Sequence, residues 1–190
     1  MLKRFCDIVL VLISLPIILP LFILTFLLVI CTSTGSALYW SQRVGKHNQL
    51  FSMPKFRSMH VNTPALATHV MNSQANAKQY LTPVGSFIRK TSLDEIPQLW
   101  CVLKGEMAIV GPRPALFNQA DLIALRSEKN IHLTKPGITG WAQVNGRDEL
   151  PIPQKVNLDD YYVKNQSFGL DCYIIVLTVI KVLKRDGVTH

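Results

Sequence analysis

Residues 91–114 read TSLDEIPQLWCVLKGEMAIVGPRP, and the rest of the chain is organised around this stretch. An adjacent acidic pair, Asp94 and Glu95, has cations on both sides. These cations are Arg89, Lys90, Lys104 and Arg113. Two carboxylates among several cations suit a site that handles a divalent metal and phosphate groups. Ser92 and Glu95 also fit the S-x-x-E capping box of a helix start, so these residues alone leave a purely structural interpretation open.

The composition indicates a membrane-associated protein with anionic partners. The chain has 190 residues, a length typical of one domain, with 48% hydrophobic residues and a formal net charge of +8. Such a protein suits the anionic surface of a cytoplasmic membrane leaflet. We do not expect a nucleic acid partner, because the cations are scattered singly and the sequence has neither zinc-finger spacing nor an aromatic RNA-binding motif.

The four cysteines predict neither a disulfide framework nor a zinc site. Cys6, Cys31, Cys101 and Cys172 are far apart and form no C-x-x-C pair, whereas either kind of site would show a regular spacing. Each lies in or beside an apolar stretch, which indicates buried free thiols in a reducing compartment.

Residues 8–31 form an uncharged apolar run, long enough as a helix to cross about 30 Å of hydrocarbon. Pro16 and Pro20 lie near its middle, where each removes a backbone donor and clashes with the preceding turn, so we expect a sharp bend. Basic residues flank both ends of the run, and basic flanks favour the cytoplasmic side. The sequence therefore predicts a re-entrant segment with both ends on one side, and a kinked spanning helix is the alternative.

Residues 38–59 predict two strands joined by a turn at Gly45, with Pro54 confining the second strand to a sheet edge. The polar residues 60–80 show no hydrophobic period and predict a mobile loop or a short solvated helix over the site. The apolar run at 170–185 is too short to span a bilayer, so we expect it to lie in the membrane interface or to pack on the domain.

Two short helices are predicted around the acidic pair. Thr82 followed by Pro83 is typical of a helix start, and that helix would carry Arg89 towards the acids. A second helix is predicted from about residue 94 to residue 103, ended by Gly105.

A glycine-rich segment follows the acidic stretch in the chain. MAIVGPRP at 107–114 predicts a short buried strand and a tight turn that fixes Arg113. In KPGITGWAQVNGR at 135–147, Gly137 and Gly140 would let the backbone approach a ligand closely.

Four long motifs occur in the order KFRSM at 55–59, RKTSLDEIPQLW at 89–100, LKGEMAIVGPRP at 103–114 and PGITGWAQVNGR at 136–147. Together they resemble the motifs of the bacterial sugar transferases called monotopic phosphoglycosyl transferases, over essentially the entire chain. Members of this family transfer a sugar phosphate from a nucleoside diphosphate sugar to a polyprenol phosphate, usually undecaprenyl phosphate, and release UMP.

The resemblance implies an α+β fold, with a re-entrant membrane anchor over residues 1–34 and a small mixed helical catalytic domain with short strands over residues 35–190. It implies a place on the cytoplasmic face of the bacterial inner membrane, at the first membrane step of O-antigen, capsule, exopolysaccharide or glycoprotein glycan synthesis. Asp94 would be the nucleophile, giving a phosphosugar-aspartyl intermediate, and Glu95 would hold a Mg2+ cofactor.

Six cations are expected to bind the substrates: Lys55, Arg57, Arg89, Arg113, Lys135 and Arg147. Arginine forks match phosphate oxygens, so Arg89 and Arg113 are the best candidates for the diphosphate, while Lys55 and Arg57 would hold polyprenol phosphate at the membrane. A UDP-sugar, undecaprenyl phosphate and membrane lipid are the expected partners, and the sequence leaves a homo-oligomer open.

Two other functions stay open at this point. A non-catalytic membrane-anchored scaffold that binds polyprenol would need the anchor and the basic residues but not Asp94. Another magnesium-dependent phosphotransfer to a lipid, such as cytidylyl transfer, would leave no phosphosugar on the enzyme. The intact acidic pair among cations argues against the scaffold, and no motif identifies the sugar.

Overall fold

A computed structural model describes residues 2–61, 63, 80–146 and 150–184. Most of the predicted polar loop, and Arg147, lie outside the described residues. The helices are α1 (Leu2–Thr32), α2 (Gly85–Lys90), α3 (Leu99–Lys104), α4 (Ala120–Glu128), α5 (Trp141–Val144), α6 (Ile152–Lys164) and α7 (Phe168–Lys184). The strands are β1 (Leu38–Val44), β2 (Leu50–Phe56), β3 (Ala108–Val110), β4 (Ala115–Leu116) and β5 (Gly137–Thr139). This mixture of helices and short strands confirms the α+β prediction.

Within the described part of the chain, α1 is the one helix long and apolar enough to cross a membrane. At 1.5 Å per residue, its 31 residues measure about 46 Å. The helix continues through Pro16 and Pro20 without an interruption. The predicted hairpin is therefore not shown and stays a prediction. Four residues of α1 are buried, all on one stripe: Asp7, Val11, Thr25 and Val29.

β1 and β2 form the antiparallel hairpin predicted around Gly45, and β4 pairs with the other side of β1. The sheet order is β2-β1-β4, so β2 is an edge strand. Pro54 lies in β2 opposite Trp40, at an edge where its missing N–H interrupts no ladder between strands. The hairpin matters to the site because Lys55 lies in β2.

β3 and β5 form a two-stranded parallel sheet, and Gly111, directly after β3, packs against the backbone of Gly137 and Gly140. A Cβ added to Gly137 would overlap the backbone nitrogen of Gly111, and one added to Gly140 would overlap the carbonyl oxygen of Gly111. The structure thus gives both glycines a structural reason, and their close approach to a ligand stays a prediction. Their missing side chains make room for the backbone of Gly111.

Both predicted short helices form, but each begins at a different residue from the one predicted. The first begins at Gly85, because the hydroxyl of Thr82 donates to the carbonyl of Ser58 at 3.3 Å and does not cap the helix. The second is divided into a 3-10 turn at Leu93–Gln98 and α3. Gly105 ends α3 in the left-handed conformation, with φ 89°, as predicted.

Two apolar clusters place the two ends of α1 against the same domain. Near the start of α1 the buried members are Val11, Phe51, Met53, Cys101, Val102 and Met107. Near its end they are Val29, Ala37, Phe56 and Ile88. Burying such side chains is the main favourable contribution to folding, so the domain holds both ends of α1.

The C-terminal helix α7 packs on the domain along one face, as predicted for the last apolar run. Ile174 is buried, and the hydroxyl of Thr178 lies 2.6 Å from that of Thr139 in β5. The other face of α7 leaves several large apolar side chains exposed, namely Phe168, Tyr173, Val176, Val179 and Ile180.

All four cysteines are free, but only part of the prediction of buried thiols is confirmed. Cys101 is buried and Cys6 is half-buried, whereas Cys31 and Cys172 are exposed. The last two differ from the prediction because they lie on the outward faces of α1 and α7, where apolar neighbours are exposed as well.

Candidate active site

The acidic pair lies in the 3-10 turn at Leu93–Gln98, between α2 and α3. Ser92, just before the turn, has a left-handed backbone with φ 57° and makes no side-chain capping bond. The carboxylate of Glu95 is bound by side chains from other parts of the chain. The capping-box interpretation is therefore wrong, and the acids serve a site formed by distant residues.

Glu95 is held by two cations from separate elements. Lys55 Nζ, on β2, lies 2.8 Å from Oε1, and Arg113 Nη2, in the loop between β3 and β4, lies 3.0 Å from the same oxygen. Burial alone would raise the pKa of Glu95, but the charges of Arg113 and Lys55 outweigh it and hold this pKa well below its usual range. Glu95 is therefore ionised at neutral and mildly acidic pH.

Asp94 is buried beside these charges, with 8% of its surface exposed. Unlike Glu95, it is in none of the ion pairs found among the described residues. Burial raises the pKa of Asp94 to about 6; the charge of Glu95 adds to the rise, while Lys55, Arg89 and Arg113 oppose it. A carboxylate that is more basic than usual and has no cation in contact has the properties of a nucleophile.

The structure brings together five of the predicted site residues: Lys55, Arg89, Asp94, Glu95 and Arg113. Arg89 belongs to the group through its charge, which lowers the pKa of Asp94. Three cations against two acids leave one net positive charge. The site therefore favours an anion, and arginine forks are the usual partners of phosphate oxygens.

Arg57 lies outside this group, at the end of α1. Its guanidinium donates to the carbonyl oxygens of Ser33 at 2.9 Å, of Thr34, and of Gly35 at 3.3 Å. Carbonyls at a helix end have no partners within the helix, so these bonds fix the chain where α1 ends. The polyprenol phosphate contact of Arg57 stays a prediction.

Lys135 also lies elsewhere, in a cluster of cations. Its Nζ and Arg4 Nη2 lie 3.6 and 3.5 Å from the same point, the position that a Cβ on Gly105 would occupy. Burial lowers the pKa of Lys135, and the nearby charges of Arg4 and Lys46 lower it further. The structure therefore does not bring Lys135 to the acidic pair, and Arg147 lies outside the described residues.

The sequence did not predict a buried ion pair whose arginine donates to the backbone carbonyl of Arg113. Arg126 on α4 and Asp159 on α6 have side-chain exposures of 9% and 1%, and Nη2 lies 2.5 Å from Oδ2. A signal for it exists in the sequence of α6. Asp159 follows Val156 and precedes Tyr162 by three residues each, so it lies on the face that these two buried side chains share.

The acidic pair offers two neighbouring carboxylates to a metal. Over residues 2–61, 63, 80–146 and 150–184, no group of three or more His, Cys, Asp or Glu could hold an ion. Mg2+ commonly takes one or two protein carboxylates and completes its shell with water and substrate phosphates. Asp94 and Glu95 fit an ion that binds together with a diphosphate.

Comparison with known proteins gives one matching family. The family model for bacterial sugar transferases matches residues 1–185. The uncharacterized sugar transferase EpsL of Bacillus subtilis is 43% identical over 172 residues, which cover 87% of this chain and 80% of that protein.

Two relatives carry names that state a reaction. The UDP-galactose-lipid carrier transferase of Erwinia amylovora is 38% identical over 98% of this chain, and the UDP-glucose:undecaprenyl-phosphate glucose-1-phosphate transferase of Xanthomonas campestris is 39% identical over 95%. The chain spans only 41% and 38% of the length of these two relatives.

Proposed function

This chain belongs to the bacterial sugar transferase family, and we propose that it transfers a sugar 1-phosphate from a UDP-sugar to undecaprenyl phosphate and releases UMP. The relatives named for such reactions support the substrate class. One observation in this chain carries the proposal. Asp94 is a buried carboxylate without an ion pair among the described residues, next to a carboxylate that two cations hold.

Asp94 is the nucleophile in this proposal. One of its oxygens attacks the phosphorus that bears the sugar, the bond from that phosphorus to the bridging oxygen breaks, and UMP leaves with the electron pair. The enzyme then carries the phosphosugar as an acyl phosphate. An oxygen of undecaprenyl phosphate attacks the same phosphorus, which releases the Asp94 carboxylate and gives the polyprenol diphosphate sugar.

The neighbouring cations make this attack on an anion feasible. A carboxylate and a diphosphate repel each other, and fixed positive groups offset that repulsion most where water is excluded. Glu95 keeps Lys55 and Arg113 beside Asp94 before any substrate binds. Arg89 adds a third cation whose charge acts on Asp94, so the phosphate oxygens meet a prepared set of donors.

Mg2+ is the proposed cofactor, with Glu95 as its main protein ligand. Bound together with the diphosphate, Mg2+ would stabilise the negative charge that leaves with UMP. Both cation contacts of Glu95 that we measure involve Oε1, which makes Oε2 the candidate ligand atom. In this assignment Asp94 is left as the nucleophile.

We further propose that α1 is a re-entrant anchor and that the domain lies on the cytoplasmic face of the inner membrane. Polar side chains support it at both ends of α1. Near the start, Arg4 donates to two carbonyls at the end of α3, and Asp7 accepts from the backbone of β3 at 3.2 Å. Beyond the end, Arg57 holds the carbonyls after the helix. Contacts from both ends of the helix to one folded domain support placing both ends on one side of the membrane.

The experiment that tests the proposed function follows UMP release from a panel of UDP-sugars with undecaprenyl phosphate and Mg2+. We expect one or a few UDP-sugars to give UMP and a polyprenol diphosphate sugar, and Asp94→Asn to give neither. If no UDP-sugar yields UMP while undecaprenyl phosphate still binds, the protein is a binding scaffold and the proposed function is wrong.

A further inference from the structure

The loop that carries Arg113 is fixed at three consecutive carbonyls. Pro112 and Pro114 flank Arg113, and their rings restrict the backbone on both sides. Three donors from other elements bind this loop: Gly137 N to the Pro112 oxygen at 2.9 Å, Arg126 Nη1 to the Arg113 oxygen at 2.8 Å, and Arg43 Nη1 to the Pro114 oxygen at 3.2 Å. The backbone of the loop therefore has little freedom.

The donor at the middle carbonyl is itself held in place. Arg126 Nε and Nη2 lie 3.0 and 2.5 Å from Asp159 Oδ2, and both side chains are buried. A buried guanidinium needs a counter-charge, and the planar fork fixes the direction of its remaining N–H groups. Asp159 therefore determines where Arg126 Nη1 points, which is at the carbonyl of Arg113.

The guanidinium of Arg113 stands at the end of a long side chain with several rotatable bonds. Its side chain is 32% exposed, and its contact with Glu95 is made by Nη2. A long side chain has many rotamers, and each wrong one removes the phosphate donor from the site. Fixing the backbone beneath such a side chain reduces the number of wrong positions.

We propose that Arg126, oriented by Asp159, is a positioning residue that holds Arg113 beside Glu95 for the diphosphate of the UDP-sugar. The inference rests on the proposed function for the identity of that ligand. Arg126 makes no contact with substrate in this account and acts through the Arg113 carbonyl.

The alternative role of the Arg126–Asp159 pair is only to join α4 to α6. The chain offers a matched control that separates the two roles. Lys129, directly after α4, lies 3.8 Å from Asp160 on α6. This pair, in which the lysine is exposed and the aspartate half-buried, links the same two helices without touching the loop. Lys129→Gln therefore removes a link between the helices and leaves the Arg113 carbonyl untouched.

A double-mutant cycle tests whether Arg126 acts through Arg113. Arg126→Lys keeps the positive charge but loses the planar guanidinium. We expect kcat/KM for UMP release from the UDP-sugar to fall at least tenfold. In an Arg113→Gln background the same substitution should change kcat/KM less than twofold, and Lys129→Gln should leave it unchanged. An equal loss from Arg126→Lys in both backgrounds would show that Arg126 does not act through Arg113.

Hydrogen exchange supplies a readout that does not depend on activity. In Arg126→Lys, or in Asp159→Asn if the former does not fold, the peptide covering residues 107–117 should exchange faster, while α1 is unchanged. Lys129→Gln should match the wild type in this peptide. Unchanged exchange at 107–117 in a folded variant overturns the positioning role. A wild type that turns over no UDP-sugar overturns the proposed function instead.

Discussion

Asp94 and Glu95 are adjacent carboxylates with opposite pKa shifts. Burial dominates at Asp94 and raises its pKa to about 6, whereas Arg113 and Lys55 overcome burial at Glu95 and lower its pKa. Pairs of acids separated in this way take different roles. Glu95 stays ionised and organises cations, while the more basic carboxylate of Asp94 fits the attack that we propose for it.

The loss of activity at acidic pH should report the protonation of the Asp94 carboxylate. In the proposed mechanism the ionised carboxylate attacks. Its pKa is raised to about 6, so protonation would remove the nucleophile as the pH falls through 6. We expect kcat/KM for UMP release to fall about tenfold per pH unit below that value. Stopped assays between pH 4.5 and 8, with circular dichroism to confirm folding, measure it. An acid limb centred near pH 4 would contradict the assignment.

Replacing Glu95 should disturb both the cations and the metal. In Glu95→Gln, Lys55 and Arg113 lose their shared negative partner, and the candidate Mg2+ ligand loses its charge. We expect EDTA to abolish turnover of the wild type and half-saturation by Mg2+ to rise at least tenfold in Glu95→Gln. A variant with the wild-type Mg2+ dependence would remove Glu95 from the metal site.

The sequence was sufficient to identify the residues of the acidic stretch and two of their cation partners. Charge and motif order pointed to Lys55 and Arg113, and both contact Glu95. The backbone partners of Arg57, carbonyls just beyond α1, were not predicted, because no sequence pattern shows which backbone groups a cation will meet. Arg126 was missed for the same reason.

At the scale of elements, glycines let the backbones around the parallel strands β3 and β5 come close together. Gly140 has an extended backbone that any residue can adopt, so the constraint there is steric. In Gly140→Ala the new Cβ overlaps the carbonyl of Gly111, and overpacking of this kind costs about 1–3 kcal/mol. We expect a lower unfolding midpoint and reduced activity in Gly140→Ala.

A second glycine supplies the control for this prediction. A Cβ on Gly169, in α7, would have no atom within 4 Å, and alanine is favoured over glycine in a helix. Gly169→Ala should therefore leave the unfolding midpoint unchanged or raise it slightly. If Gly140→Ala unfolds at the same temperature as Gly169→Ala, the loops after β3 and β5 are not packed as described.

Local patterns predicted most elements, and tertiary contacts changed their ends. The hairpin followed from its turn at Gly45, and the end of α3 from Gly105. The start of α2 moved because Thr82 found a distant acceptor in Ser58. Capping and turn signals are local, so they cannot show which partner a long-range contact will supply.

At the scale of the whole molecule, the central feature is a membrane helix with both ends against one domain. Near the start of α1, Arg4 and Asp7 bind backbone groups of the domain. Just beyond its end, Arg57 binds the backbone carbonyl of Ser33. A soluble UDP-sugar and a lipid phosphate meet at the membrane surface, so an anchor that returns to its own side would keep Asp94 near the headgroups.

Cysteine labelling tests this topology. Leu2→Cys and Ser36→Cys place exposed thiols at the two ends of α1, in a background where Cys6, Cys31 and Cys172 are replaced by serine. Cys101 is buried and stays as an unlabelled control. We expect a membrane-impermeant maleimide to label both positions in inside-out vesicles. Labelling of only one of them before the vesicles are opened would show a spanning helix.

The most direct test of the account is incubation of the enzyme with Mg2+ and its UDP-sugar in the absence of any polyprenol phosphate. If Asp94 forms the covalent intermediate, about one UMP is released per active site, as covalent catalysis requires. The peptide that contains Asp94 then gains the mass of the sugar phosphate, and Asp94→Asn shows neither signal. If UMP appears only when undecaprenyl phosphate is present and no adduct is trapped, transfer is direct and Asp94 is not the nucleophile.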